Sequence, residues 1–134
     1  PPEFDPRCRE PFLGLMFLGA LTKTFDWLGH EFTIRTLTTD EVLGVGLLTK
    51  DYEGSIGVNK AYTTAMVAAC VISVDGKTLP TPYMEEPGPA LLQGRFTFVK
   101  NKWYPYTIDY VYSQYLELEN TVEKVFDAMG KASG

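Results

Sequence analysis

Between Tyr106 and Met129 the apolar residues Ile108, Val111, Tyr115, Leu118, Val122, Val125 and Met129 recur at spacings of 3, 4, 3, 4, 3 and 4. The repeat averages close to 3.5 residues, the period at which one seam of a helix stays turned toward a partner surface. The segment is therefore expected to form one long amphipathic helix, with Tyr112 and Phe126 widening the stripe and Gly130 ending it. At 1.5 Å per residue the seam spans about 32 Å, longer than the core of a small domain requires. It either docks on its own domain or turns part of its length to another chain. Val111, Tyr112, Tyr115, Leu118, Val122 and Val125 are accordingly the candidate partner-binding residues.

What this helix packs on is read from the segments before it. From Thr22 to Thr36, apolar and polar residues alternate on both sides of Leu28-Gly29-His30, the pattern of a β-hairpin. Phe25 and Trp27 share a face with Phe32 and Ile34, while Asp26, Glu31, Thr33 and Arg35 are expected to face water. Thr38-Thr39-Asp40-Glu41 has the spacing of a capping box, which starts a helix over 39–50 with Val42, Val45, Leu47 and Leu48 as its apolar side. Gly44 and Gly46 each cost that helix about 1 kcal/mol. Residues 58–71 are alanine-rich and apolar nearly all round, as expected of a central buried helix.

Asp75-Gly76 predicts a second short hairpin over 71–79, and the prolines of 80–88 a connector. Residues 89–100 read as a short helix with Leu91, Leu92, Phe96 and Val99 on one side. The fold class is thus α+β: an N-terminal β-hairpin packed on a mostly helical core, closed by a long C-terminal amphipathic helix. Residues 1–21 are an extended, proline-rich arm and lead segment, with Pro1 read as the residue left after removal of an initiator Met. Residues 22–134 form a single domain.

Seventeen acidic against twelve basic residues give a net charge of −5, and the basic residues are scattered, so no stripe can neutralise a phosphate backbone. Nucleic acid is not an expected partner. The apolar run 12–21 is too short to span a bilayer, and no membrane association is expected. Cys8 and Cys70 are read as free thiols of a reducing compartment.

Catalytic signatures are missing. One histidine, His30, excludes a multi-histidine metal site, and beside Gly29 it reads as a turn residue tolerating unusual backbone angles. Asp40-Glu41 is explained by capping, and Glu85-Glu86 lies in the proline connector, where carboxylates stay solvated. Gly44-Val45-Gly46 lacks the lysine and the later glycine of a phosphate loop. Trp103, Tyr104, Tyr106, Tyr110, Tyr112 and Tyr115 cluster near the start of the last helix with too few cations for base stacking, so they read as packing residues. An enzyme or small-ligand binder using a pocket near these tyrosines would need convergent polar groups in a closed cavity, which the sequence does not show. A scaffold or regulatory subunit of a non-viral cell is the remaining alternative, which composition does not separate from an assembly protein. No catalytic residue, metal ligand or cofactor is expected.

The run from Phe25 to Glu41, Phe-Asp-Trp-Leu-Gly-His-Glu-Phe-Thr-Ile-Arg-Thr-Leu-Thr-Thr-Asp-Glu, resembles the opening of tail assembly chaperones of long-tailed bacteriophages. In that family a short hairpin with a turn glycine leads into a Leu-Thr-x-x-Glu helix start. The alanine-rich helix followed by Val-Asp-Gly-Lys, and the closing Tyr-Leu-Glu-Leu-Glu-Asn-Thr-Val-Glu-Lys-Val helix, look like small phage tail and baseplate assembly proteins. The resemblance covers residues 22–129; the proline-rich arm departs from it. It implies a non-enzymatic role in tail morphogenesis, with tail proteins or further copies of itself as partners. It also implies a place in the host cytoplasm during assembly and, for a structural component, in the virion tail.

Overall fold

The computed structural model describes residues 21–79 and 88–133, and shows an α+β fold with a three-stranded antiparallel sheet and four α-helices among them. Residues 1–20 of the expected arm and lead segment over 1–21, residues 80–87 of the expected connector over 80–88, Cys8 and Glu85-Glu86 lie outside the described residues.

Strand β1 (Thr22–Trp27) pairs with β2 (His30–Arg35) in the register the alternation demands, Phe25 opposite Phe32 and Trp27 opposite His30. Phe32 and Ile34 are buried, and Phe25 and Trp27 lie half-buried beside them. Leu28 (φ 52°) and Gly29 (φ 80°) take the two left-handed positions of the turn. The unusual backbone angle therefore falls on Leu28, and His30 is the first residue of β2.

The second expected hairpin is replaced by a third strand. β3 (Val71–Val74) pairs with the free edge of β2, with a bulge that skips Ile72. The return after Asp75-Gly76 makes only the single bridge Val74–Lys77. An existing edge offers β3 three partners, Phe32, Thr33 and Ile34, which a two-residue return cannot match.

Helix α1 (Thr39–Leu48) begins with the expected capping box: the Glu41 amide donates to Thr38 Oγ1 at 3.2 Å and the Thr38 amide to Glu41 Oε1 at 2.9 Å. A 3₁₀ turn (Lys50–Tyr52) leads on to α2 (Val58–Cys70), the central helix, buried at eight positions from Ala61 to Cys70. Helix α3 (Gly88–Lys102) buries Phe96 and Val99. Helix α4 (Pro105–Ser133) begins with proline, whose missing amide hydrogen costs nothing at a first helical position. It continues through Gly130, which adopts helical rather than left-handed angles. One glycine costs a helix about 1 kcal/mol, too little to end it.

No described helix is long and apolar enough to cross a membrane.

Candidate functional site: an outward apolar helix face and an aromatic cleft

The structure buries Ile108, Val111, Tyr115, Leu118 and Val125 of the C-terminal seam. Val111 (0% exposed), Tyr115, Leu118 and Val125 are buried, and Tyr112 and Val122 pack half-buried against the core. Burial pushes the Tyr115 hydroxyl to a higher pKa, helped by its 2.7 Å hydrogen bond to Glu119. Burial likewise raises that of Tyr112. A heptad stripe identifies the side of a helix that packs; it does not say on which chain. Here α2 and strand β2 contact this helix, while Tyr112 and Val122 keep part of their surface exposed. The outer side of α4 instead exposes Leu116 (50%) and Phe126 (55%), so Phe126 does not widen the buried stripe.

The aromatic residues at the start of α4 hold the hairpin. Trp27 stacks on Tyr110 and Tyr106 and donates from Nε1 to Thr107 Oγ1 at 3.2 Å. Phe25 stacks on Phe32, and Trp103 meets Phe32 edge-on. Tyr104 and Tyr106 remain exposed.

Helix α1 buries one residue, Val45, although from Val42 to Leu48 it carries no polar side chain. Leu43 (63% exposed) and Leu47 (75%), one turn apart, point outward, so Leu47 and Val42, both expected inside, are on the surface. A helix apolar all round is ordinarily covered all round; this stretch is covered on one side.

Beside α1 lies a cavity of about 190 Å³ lined by Arg35, Asp40, Glu41, Gly44, Leu91, Leu92 and Arg95. Arg35, expected to face water, is instead drawn down into a two-pronged pair with Glu41. That pairing, with the Thr38 amide, holds the Glu41 carboxyl at about 2 against the opposing effect of burial. Arg95 donates to the Val71 carbonyl, but its buried Nε has no acceptor. Burial first, then the nearby Arg35 charge, lower the Arg95 pKa. Cys70, between α2 and β3, is free and fully buried, and its thiol is pushed up to about 12, which makes it a packing residue rather than a nucleophile.

At the turn end of the sheet a second, wider cleft of about 500 Å³ opens against the α3–α4 junction. Phe32, Val74, Leu79, Phe98 and Trp103 form its apolar lining, and His30, Asp75, Lys77, Lys102 and Thr107 surround them. His30 Nδ1 lies 2.6 Å from Asp75 Oδ2, while Asp75 Oδ1 accepts from the Glu31 amide at 2.8 Å and the Asp75 amide donates to the Glu31 carbonyl at 2.7 Å. The Glu31 amide first, and His30 second, lower the Asp75 pKa. Of these polar groups, His30 and Asp75 meet directly. His30 and Asp75 are 45 residues apart, and only the pairing of β3 with β2 brings the two tight turns to one end of the sheet. Among the described residues no group of three or more His, Cys, Asp or Glu is placed to hold a metal ion.

No family model matches the chain, and neither any curated protein nor any solved structure matches it.

Proposed function

We propose that this chain is a non-enzymatic protein of phage tail morphogenesis, a tail assembly chaperone or a tail or baseplate component, that acts by binding other protein chains. The observation that carries the binding role is the outer face of α1, where Leu43 and Leu47 stand in solvent one turn apart. Adjacent exposed aliphatic side chains of this kind mark protein-binding surfaces. The phage setting, and with it the host cytoplasm as the place of assembly, rests on the resemblance of the hairpin, capping box and closing helix. The test is light scattering coupled to size-exclusion chromatography over a range of concentrations. Association that grows with concentration, and is lost in Leu43→Glu/Leu47→Glu while circular dichroism is unchanged, supports the reading. A wild-type chain that stays monomeric at every concentration removes its self-assembling form.

The cleft favours a second reading, a small-ligand binder. Its aromatic lining suits a flat ring, and Lys77 and Lys102 at its edge suit an anion. Benzoate is the simplest probe. Quenching of Trp103 emission in a Trp27→Phe background, abolished by Lys77→Ala/Lys102→Ala, supports this reading; no quenching up to millimolar benzoate removes it for aromatic acids.

A further inference from the structure

The two edges of the sheet differ. Along β3 the backbone is taken up: the Val71 carbonyl accepts from Arg95, the Val74 amide donates to the Lys77 carbonyl at 2.8 Å, and the Val74 carbonyl accepts from the Lys77 amide at 3.0 Å. The other edge is β1, which has no strand beyond it among the described residues. The Thr36 amide donates to the Leu21 carbonyl, so along the β1–β2 register the bonded pairs are Lys23–Ile34, Phe25–Phe32 and Trp27–His30. The pairs between them, Thr22–Arg35, Thr24–Thr33 and Asp26–Glu31, turn their backbone groups away from each other. Two contacts agree with this alternation. The Thr24 and Thr33 hydroxyls meet at 3.0 Å, as side chains of unbonded pairs do, and the Glu31 amide and carbonyl both turn to Asp75. The N–H and C=O groups of Thr22, Thr24 and Asp26 therefore point out from the open edge, and all three residues are exposed.

We propose that this edge of β1 pairs antiparallel with the same edge of a second copy, about a two-fold axis at Thr24, and so joins the two sheets into one. In that register Thr24 lies opposite Thr24 of the second copy and Thr22 opposite Asp26, and each outward N–H and C=O of these residues finds a partner. The neighbouring registers are poorer. An axis at Lys23 sets two lysines opposite each other, one at Asp26 sets two carboxylates opposite each other, and one at Phe25 leaves Thr22 beyond the partner strand. The occupied backbone of β3 offers no head-to-tail alternative, so the contact is isologous and stops at a dimer. Helix α4 lies against β2 and reaches β1 with the side chains of Tyr106, Tyr110 and Glu117, on the face of the sheet rather than at its edge.

This contact goes beyond the assembly reading and does not use the α1 face, so Leu43→Glu/Leu47→Glu, which stops growth through α1, is expected to leave the dimer. The test is made in that background. Light scattering over a range of concentrations is expected to show a monomer–dimer equilibrium, and hydrogen exchange followed by NMR to slow at the Thr22, Thr24 and Asp26 amides as the dimer forms. Thr24→Pro removes one outward N–H, touches no bond of the β1–β2 ladder and is expected to give a monomer, with circular dichroism as the check that it folds. Thr22→Lys sets a cation opposite Asp26 and Thr22→Asp a second anion. The first is expected to tighten the dimer about fivefold and the second to weaken it about fivefold, and Asp26→Asn to remove the difference between them.

A dimer whose three amides exchange as fast as in the monomer, or that ignores the sign of the charge at position 22, overturns the β1 contact and leaves the assembly reading standing. Amides already protected in the monomer overturn it too, because the edge is then covered from within its own chain. A protein of this background that stays monomeric at every concentration defeats the inference alone, since growth of the wild type through α1 is measured separately.

Discussion

The indole of Trp27 lies nearly flat on the ring of Tyr110, centroids 3.9 Å apart and planes 16° apart. This stack fastens β1 to α4 across 83 residues of sequence, and the indole N–H to Thr107 fixes its rotation. Trp27→Ala should cost about 2–3 kcal/mol, part of it lost burial and part the stack itself. A double-mutant cycle with Tyr110→Leu, measured by urea denaturation, should return a coupling of about 1 kcal/mol; additive effects would mean that the rings touch without stabilising each other.

Glu41 gives stability a pH dependence. Its carboxyl titrates at about 2 in the folded chain, below the ordinary glutamate value near 4.3. A depressed carboxyl contributes fully above its unfolded value, and the contribution is lost as pH falls through the folded one. Because the pair is partly solvated, about 1 kcal/mol is the expected size after screening. Unfolding midpoints measured at pH 6, 4 and 2 should therefore fall more steeply for the wild type than for Glu41→Gln.

Val111 and Leu116 sit five residues apart on α4 with opposite surroundings, 0% and 50% exposed. Val111→Asp puts a carboxylate in the core without a partner, a cost of several kcal/mol that should unfold a domain of ordinary stability. Leu116→Asp should stay within about 0.5 kcal/mol of wild type. Circular dichroism and thermal melts of the two decide whether the heptad seam is internal; a folded Val111→Asp would mean that it is not.

Leu28 holds a left-handed backbone angle at an exposed turn. Asparagine tolerates that angle better, and Asn-Gly is the preferred pair for such a turn. Leu28→Asn should raise stability by about 0.5–1 kcal/mol, seen as a higher melting temperature. An unchanged or lower value would mean that Leu28 contributes something its exposure does not show.

The parts of this fold that the residues announce are those decided locally. Thr38 and Glu41 meet because they are three apart on a helix start, and Phe25 faces Phe32 because a two-residue turn sets the register. The parts that stayed hidden are decided between distant segments. Val71-Ile-Ser-Val is too short for its period to name a partner strand, so its pairing with β2, and the meeting of His30 with Asp75, could not be read. Helix α1 has no polar side chain from Val42 to Leu48, so its spacing found the buried Val45 but also took in Val42 and Leu47, which are exposed. The seam of α4 was legible as a packing surface, and only the position of α2 and the sheet shows that Val111 and Leu118 pack inward.

Helix α4 joins the hairpin's anchor to the outward-facing Leu116 and Phe126 in one uninterrupted rod. From Tyr110 to Phe126 the rod is about 24 Å long, so a tilt of about 5° at the Trp27 stack swings Phe126 by about 2 Å. The hairpin is in that sense a mount, and the helix a pointer fixed in it. Because Val111, Tyr115, Leu118 and Val125 are buried between the two ends, such a tilt has to be shared by the packing along the whole rod.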